Sequence, residues 1–123
     1  MTHPDMTILY VDNPPASARF YSGLLGAEPV ESSPGFAMFV LKGGLKLGLW
    51  KRAEVLPAVT AASGGSELCM SVADVAAVEA THNDWKARGI TIAQAPADMD
   101  FGRTFTALDP DGHRLRVFVP PQM

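Results

Sequence analysis

The sequence predicts an α+β fold built from two βαβββ units, and three observations predict it. A passage of strand, glycine turn and second strand, Gly35 to Trp50, returns in outline as Phe101 to Phe118. The copies keep register: Gly35 and Gly102 are 67 residues apart, and Gly44 and Gly112 are 68 apart. Each passage is also preceded by an apolar strand and a capped amphipathic helix, in that order. Two copies of one unit can enclose a site between them, so the residues at matching positions decide what that site can do.

In the first unit, Met6-Thr-Ile-Leu-Tyr-Val11 is β-branched and apolar and reads as a strand. Asp12-Asn-Pro-Pro follows, a side-chain cap with proline in the first helical turn. Ala16, Phe20 and Leu24 recur at four-residue spacing and predict the buried stripe of a helix that Gly26 ends. Strands are expected over 28–33, 36–42 and 45–51.

A connection rich in Ala, Ser and Gly, Pro57 to Gly65, leads to the second unit. There Ser66 to Val72 reads as a strand, and Asp74 caps a helix whose Val75, Val78 and Trp85 share a face until Gly89 stops it. Strands are expected over 90–94, 103–108 and 113–119. Val11 and Val72 close equivalent strands 61 residues apart, and a flexible loop around Ala95–Phe101 is expected to absorb the later, larger offset. The expected organisation is one domain over residues 1–123, with module one at about 5–56 and module two at about 66–120.

Composition narrows the function classes. The chain is 47% hydrophobic and 19% charged, with a net charge of −3 and no dense basic patch to neutralise phosphates, so no nucleic-acid partner is expected. No apolar run approaches the ~20 residues that span a bilayer, and the first residues lack the pattern of a secretory signal. The single cysteine, Cys69, allows no internal disulfide. A cytoplasmic location is the expectation these features support.

Two stretches carry a family resemblance: Tyr-Val-Asp-Asn-Pro-Pro-Ala-Ser-Ala-Arg-Phe-Tyr-Ser-Gly-Leu-Leu-Gly26 and Asp-Pro-Asp-Gly-His-Arg-Leu-Arg-Val117. In this order and with the repeat, nearly the whole chain resembles the vicinal oxygen chelate superfamily of glyoxalase I, extradiol dioxygenases, fosfomycin-resistance enzymes and bleomycin-binding proteins. The resemblance implies that each βαβββ unit forms half of a curved mixed sheet around a cavity, commonly in a homodimer. Phe101-Gly-Arg-Thr-Phe105, Asp109-Pro-Asp-Gly-His113 and Trp50 look most like the phenazine-type antibiotic resistance proteins, which are binders rather than catalysts.

Metal-dependent members of that superfamily place His and Glu ligands on the first and last strand of each unit. The equivalent positions here are Met6, Gly48, Glu67 and Arg116, of which only Glu67 can ligate; Arg116 is permanently cationic. His3 precedes the first strand, His82 is on the second helix and His113 is at a turn. No metal, cofactor or catalytic residue is expected from this set.

The ligand-binding candidates are Trp50, Gly48, Glu67, Arg116, Phe39, Phe105, Arg103 and Met6. Arg116 suits a ligand carboxylate or phenolate, with Glu67 orienting it; a structural ion pair is the alternative. Gly48 leaves room for a flat ring to stack on Trp50, which otherwise packs against a neighbouring element. Phe39 and Phe105, with Phe101, Met38 and Met99, are apolar lining candidates or plain core. Arg103 beside the 95–101 loop reaches a ligand's polar edge or solvent. Asp109-Pro-Asp-Gly112 is turn chemistry, Trp85 is core, and Cys69 has no activating partner.

The function expected is metal-independent binding and sequestration of a planar aromatic small molecule such as an antibiotic. The alternatives are a glyoxalase-like lyase or isomerase with Glu67 as general base, and a domain used only for protein–protein contact.

Overall fold

The computed structural model describes residues 2–120. Unit one carries β1 (Met6–Val11), α1 (Pro14–Leu25), β2 (Glu31–Ser32), β3 (Phe36–Val40) and β4 (Lys46–Lys51), then a 3-10 turn over Arg52–Glu54. Unit two carries β5 (Glu67–Ser71), α2 (Val75–Ala87), β6 (Thr91–Met99), β7 (Gly102–Leu108) and β8 (Arg114–Phe118). The chain divides into two compact units between Ala62 and Ser63. The α+β class and the two βαβββ modules are those the sequence predicts.

Each unit has one open four-stranded mixed sheet, in the orders β1-β4-β3-β2 and β5-β8-β7-β6. The first strand of each unit pairs in parallel with the last, and the others pair antiparallel. The copies share register to the residue: Ile8 lies opposite Gly48, and Cys69 opposite Arg116. Met6 and Glu67, two residues earlier, are therefore equivalent.

Helix α1 starts where Asn13 accepts a hydrogen bond from the Ala16 amide at 3.1 Å, and Gly26 ends it at φ 64°. Its buried face is Pro14, Ser17, Ala18 and Tyr21, not the expected Ala16, Phe20 and Leu24. Small Ser17 and Ala18 let the helix approach β3 and β4 closely, and Tyr21 fills the remaining depth. Phe20 sits at the margin, edge-on to Tyr21 with ring centroids 5.1 Å apart. In α2, capped by Asp74 at 2.8 Å from the Ala77 amide, Val78 and Trp85 are buried while Val75 in the first turn is exposed.

Strand alternation sends one face of each sheet to its helix. In unit one that face is Leu9, Val11, Ala37, Phe39, Leu47 and Leu49, all buried. In unit two Phe105, Ala107, Leu115 and Val117 pack beneath α2, with Trp85 and His82 edge-on to Phe105 at 5.4 and 5.3 Å. Phe39 and Phe105 are thus fully buried core residues, which corrects the lining role expected of them.

Strand lengths also differ from expectation. The 28–33 candidate keeps only Glu31–Ser32, whereas β6 runs on to Met99 where a flexible loop was expected. That strand accommodates its extra residues by slipping register against β7 between Ile92 and Gln94 and again between Gln94 and Ala97. Among the described residues, no helix is long and apolar enough to cross a membrane.

Candidate functional site

The face of the second sheet turned away from α2 carries the candidate site. Pairing puts Glu67 and Cys69 of β5, Arg116 and Phe118 of β8, and Thr104 and Thr106 of β7 on this one face. A cleft of about 370 Å³ opens there, lined by Glu67, Cys69, Phe101, Arg116 and Phe118. Phe101 stands edge-on to Phe118 with centroids 6.2 Å apart, and the Arg116 guanidinium carbon lies 5.8 Å from the Phe101 ring centre.

Arg116 is held from two sides. Its Nε and Nη2 donate to Glu67 Oε1 and Oε2 at 2.7 and 2.9 Å, a side-on bidentate pair. Its Nη1 donates to Gln94 Oε1 and Thr104 Oγ1, each at 3.3 Å. Thr104 Oγ1 donates to the Val117 carbonyl, and Thr106 Oγ1 donates to Gln94 Oε1. This polar floor explains how two fully buried threonines sit on a face that is not core.

The pair sets the charge states. Arg116's hydrogen bonds hold the Glu67 carboxyl below the usual carboxylate range despite the opposing effect of burial, and Arg114, 3.8 Å away, adds to the pull. Glu67 in turn raises Arg116 further above its ordinary value. The Cys69 thiol is pushed up, first by burial and then by the Glu67 charge. At neutral pH the cleft therefore holds a carboxylate, two guanidinium groups at or near it, and a protonated thiol, so neither Glu67 nor Cys69 is poised for proton abstraction or attack.

Unit one presents Met6, Gly48 and Trp50 on its corresponding face. Trp50 lies edge-on to Tyr10 at 6.2 Å and opposite Phe36 in the ladder. The space above Gly48 is taken: a Cβ there would meet Met6 Cε at 2.8 Å and the Phe36 ring at 3.1 Å. Gly48 thus admits its own neighbours, which corrects the expectation that it leaves room for a ring on the indole.

Arg103 is the other correction. It lies on the helix side of β7, with Nε bonded to Glu79 of α2 at 2.9 Å and Nη1 to Asp98 at 3.4 Å, away from the cleft. The Asp109 carboxylate accepts from the backbone amides of Asp111 and His113, both at 2.9 Å, as turn chemistry requires.

The donor set at the equivalent strand positions does not fit a divalent ion. Met6 and Gly48 offer no hard donor, and both Glu67 oxygens are engaged by a guanidinium that occupies the fourth position. Among the described residues, no three His, Cys, Asp or Glu side chains converge as a metal cluster.

Sequence reasoning missed Phe118, Gln94, Thr104 and Thr106 as parts of the site. Phe118 was within reach, since it lies two residues beyond Arg116 and so shares its face. Gln94 was not, because its placement depends on a register slip that no spacing rule announces.

Comparison with known proteins agrees with this architecture. The model of the Glyoxalase/Bleomycin resistance protein/Dioxygenase superfamily matches residues 3–117. The phenazine antibiotic resistance protein EhpR of Enterobacter agglomerans is 31% identical over 117 residues, covering 93% of this chain and 89% of that one. An Agrobacterium tumefaciens protein solved in solution by NMR is 57% identical, with a TM-score of 0.91 over 99% of this chain and all of the other. A glyoxalase-related enzyme from Fulvimarina pelagi shares the fold, at a TM-score of 0.84 over 97% of this chain and 88% of that one, with 23% identity. From its βαβββ repeat, its sheet order and this match over nearly its whole length, the chain belongs to the glyoxalase/bleomycin resistance protein/dioxygenase superfamily.

Proposed function

We propose that this chain binds and sequesters a planar aromatic small molecule, in the manner of an antibiotic resistance protein, without a metal ion and without a covalent step. The observation that carries the reading is the cleft of unit two, where Phe101 and Phe118 flank a guanidinium already locked by Glu67. Its aromatic walls suit a flat ring, and its few fixed polar groups suit orientation rather than turnover. The relative named for phenazine resistance supports the same class of ligand.

Trp50 is proposed as a further stacking surface, in unit one, and the protein as a homodimer in the cytoplasm. A lyase or isomerase reading needs Glu67 as a base with a pKa near neutrality. Its ion pair drives the pKa the other way, which weighs against that reading.

Isothermal titration with a panel of planar aromatic compounds, phenazine-1-carboxylate among them, tests the proposal in metal-free buffer containing a chelator. Binding that weakens about tenfold in Phe118→Ala is expected, a truncation of one stacking wall. Absence of heat across the panel, or binding only after a divalent metal is restored, would overturn it. Trp50→Leu tests the second surface; unchanged affinity would remove Trp50 from the site.

A further inference from the structure

Gln94 is the least expected member of the site, and the reason it is there is specific. The pairing of β6 with β7 begins with Thr91 opposite Leu108 and Ile92 opposite Ala107, so an unbroken ladder would place Ala93 opposite Thr106 and turn Gln94 toward α2. The register slips by one residue instead, and Gln94 takes the position opposite Thr106. A second slip before Ala97 restores the strand's path to Met99. Bulges of this kind re-aim a side chain, and here the one re-aimed is the only amide in the polar floor.

Once there, Gln94 Oε1 accepts from both Thr106 Oγ1 and Arg116 Nη1, and its Nε2 donates to Met99 Sδ at 3.7 Å. The amide is fixed at both ends. Arg116 has five N–H donors. Glu67 takes two and Gln94 and Thr104 take one each, which leaves one Nη2 proton of a side chain that lines the cleft. A guanidinium tethered only by Glu67 can pivot about that bidentate edge; the Gln94 and Thr104 bonds on Nη1 remove the pivot. A neutral acceptor also matters, because Glu67 already balances the Arg116 charge and a second carboxylate at this point would make the pair net negative and repel an anionic substituent.

We infer that Gln94 is a positioning and specificity-determining residue. Delivered by the β6 bulge, it fixes the orientation of the Arg116 guanidinium toward a polar substituent of the bound ring. The inference rests on the ligand class proposed above, and its test separates the two. Two flat probes of the same shape, phenazine-1-carboxylate and neutral phenazine-1-carboxamide, are titrated calorimetrically against wild type, Gln94→Leu and Gln94→Glu. Gln94→Leu is expected to weaken the carboxylate about tenfold and the carboxamide less than about twofold, since an ionic hydrogen bond loses its alignment. Gln94→Glu keeps the acceptor but adds charge, so it weakens the carboxylate while the carboxamide holds.

An equal loss for both probes in Gln94→Leu, or no loss for either, overturns the role of Gln94. Binding of neither probe by wild type instead counts against the proposed function. The role is then decided without a ligand, by nitrogen-15 spectra of the Arg116 guanidinium. Separate, slowly rotating Nη resonances in wild type that coalesce in Gln94→Leu support it, and identical spectra overturn it.

Discussion

Glu67 Oε1 and Oε2 receive Arg116 Nε and Nη2 at 2.7 and 2.9 Å, an ion pair that joins the first and last strands of unit two across one face of the sheet. It spans a parallel strand pair with both heads partly shielded from water, so it is stronger than a typical surface bridge. The consequences are open to measurement.

The pair makes stability depend on pH. The folded Glu67 carboxyl titrates below its ordinary value of 4.5, so its stabilisation is complete above that pH and is lost as pH falls through the folded value. Glu67→Gln resembles the protonated side chain. It should cost about 1 kcal/mol near pH 7, and the gap from wild type should be smaller at pH 3, below the ordinary value of 4.5. Urea unfolding of both proteins at the two pH values measures this; a gap that is constant with pH would contradict the linkage.

Cys69 is solvent-exposed yet its thiol titrates above its ordinary value. Less thiolate is then present at any given pH, so alkylation by iodoacetamide at pH 8 should be slower than that of a small free thiol. Glu67→Gln removes a negative charge that disfavours the thiolate and leaves Arg116 unneutralised. The alkylation rate should therefore rise several-fold, followed by mass spectrometry.

Two glycines separate side-chain tolerance from backbone constraint. At Gly102, φ is 131° and a Cβ would come within 2.8 Å of the Val119 carbonyl oxygen, which is main chain and cannot yield. Gly102→Ala should cost about 2 kcal/mol or more. At Gly48 the closest atom is the end of a flexible methionine, Met6 Cε, with the Phe36 ring next. Gly48→Ala should cost about 1 kcal/mol or less. Equal costs by denaturant titration would refute the distinction.

Phe105 and Phe101 should respond oppositely to truncation. Phe105 is fully buried against Trp85 and His82 beneath α2, so Phe105→Ala should cost about 3–5 kcal/mol. Phe101 is over a third exposed at 37% and lines the cleft. Phe101→Ala should change stability by less than about 1 kcal/mol while weakening the planar ligand. Unfolding and calorimetry on the same two variants check both halves.

The repeated order of elements was legible because its signals are local. Asn13 and Asp74 cap their helices, Gly26 and Gly89 follow them, and the glycine turns lie at matching offsets. The Glu67 and Arg116 positions were legible too, since a period of two and a fixed register put both on one face once the repeat is aligned. Which face each helix covers was not. Four-residue spacing picks out Ala16, Phe20 and Leu24, but their neighbours Ser17, Ala18 and Tyr21 are the ones pressed on the sheet. Helix rotation is decided by how closely small residues let two elements approach, which no single row of residues encodes.

The sequence by itself determined the two βαβββ units and their common register, because caps, turns and alternation act over a few residues. Only the tertiary structure decided what fills each face. It buried Phe39 and Phe105 under the helices, turned Arg103 toward Glu79, filled the space above Gly48 with Met6 and Phe36, and brought Gln94 to Arg116. Each of those outcomes depends on side-chain volume meeting volume, or on a one-residue slip between strands, and both are settled only when the elements pack.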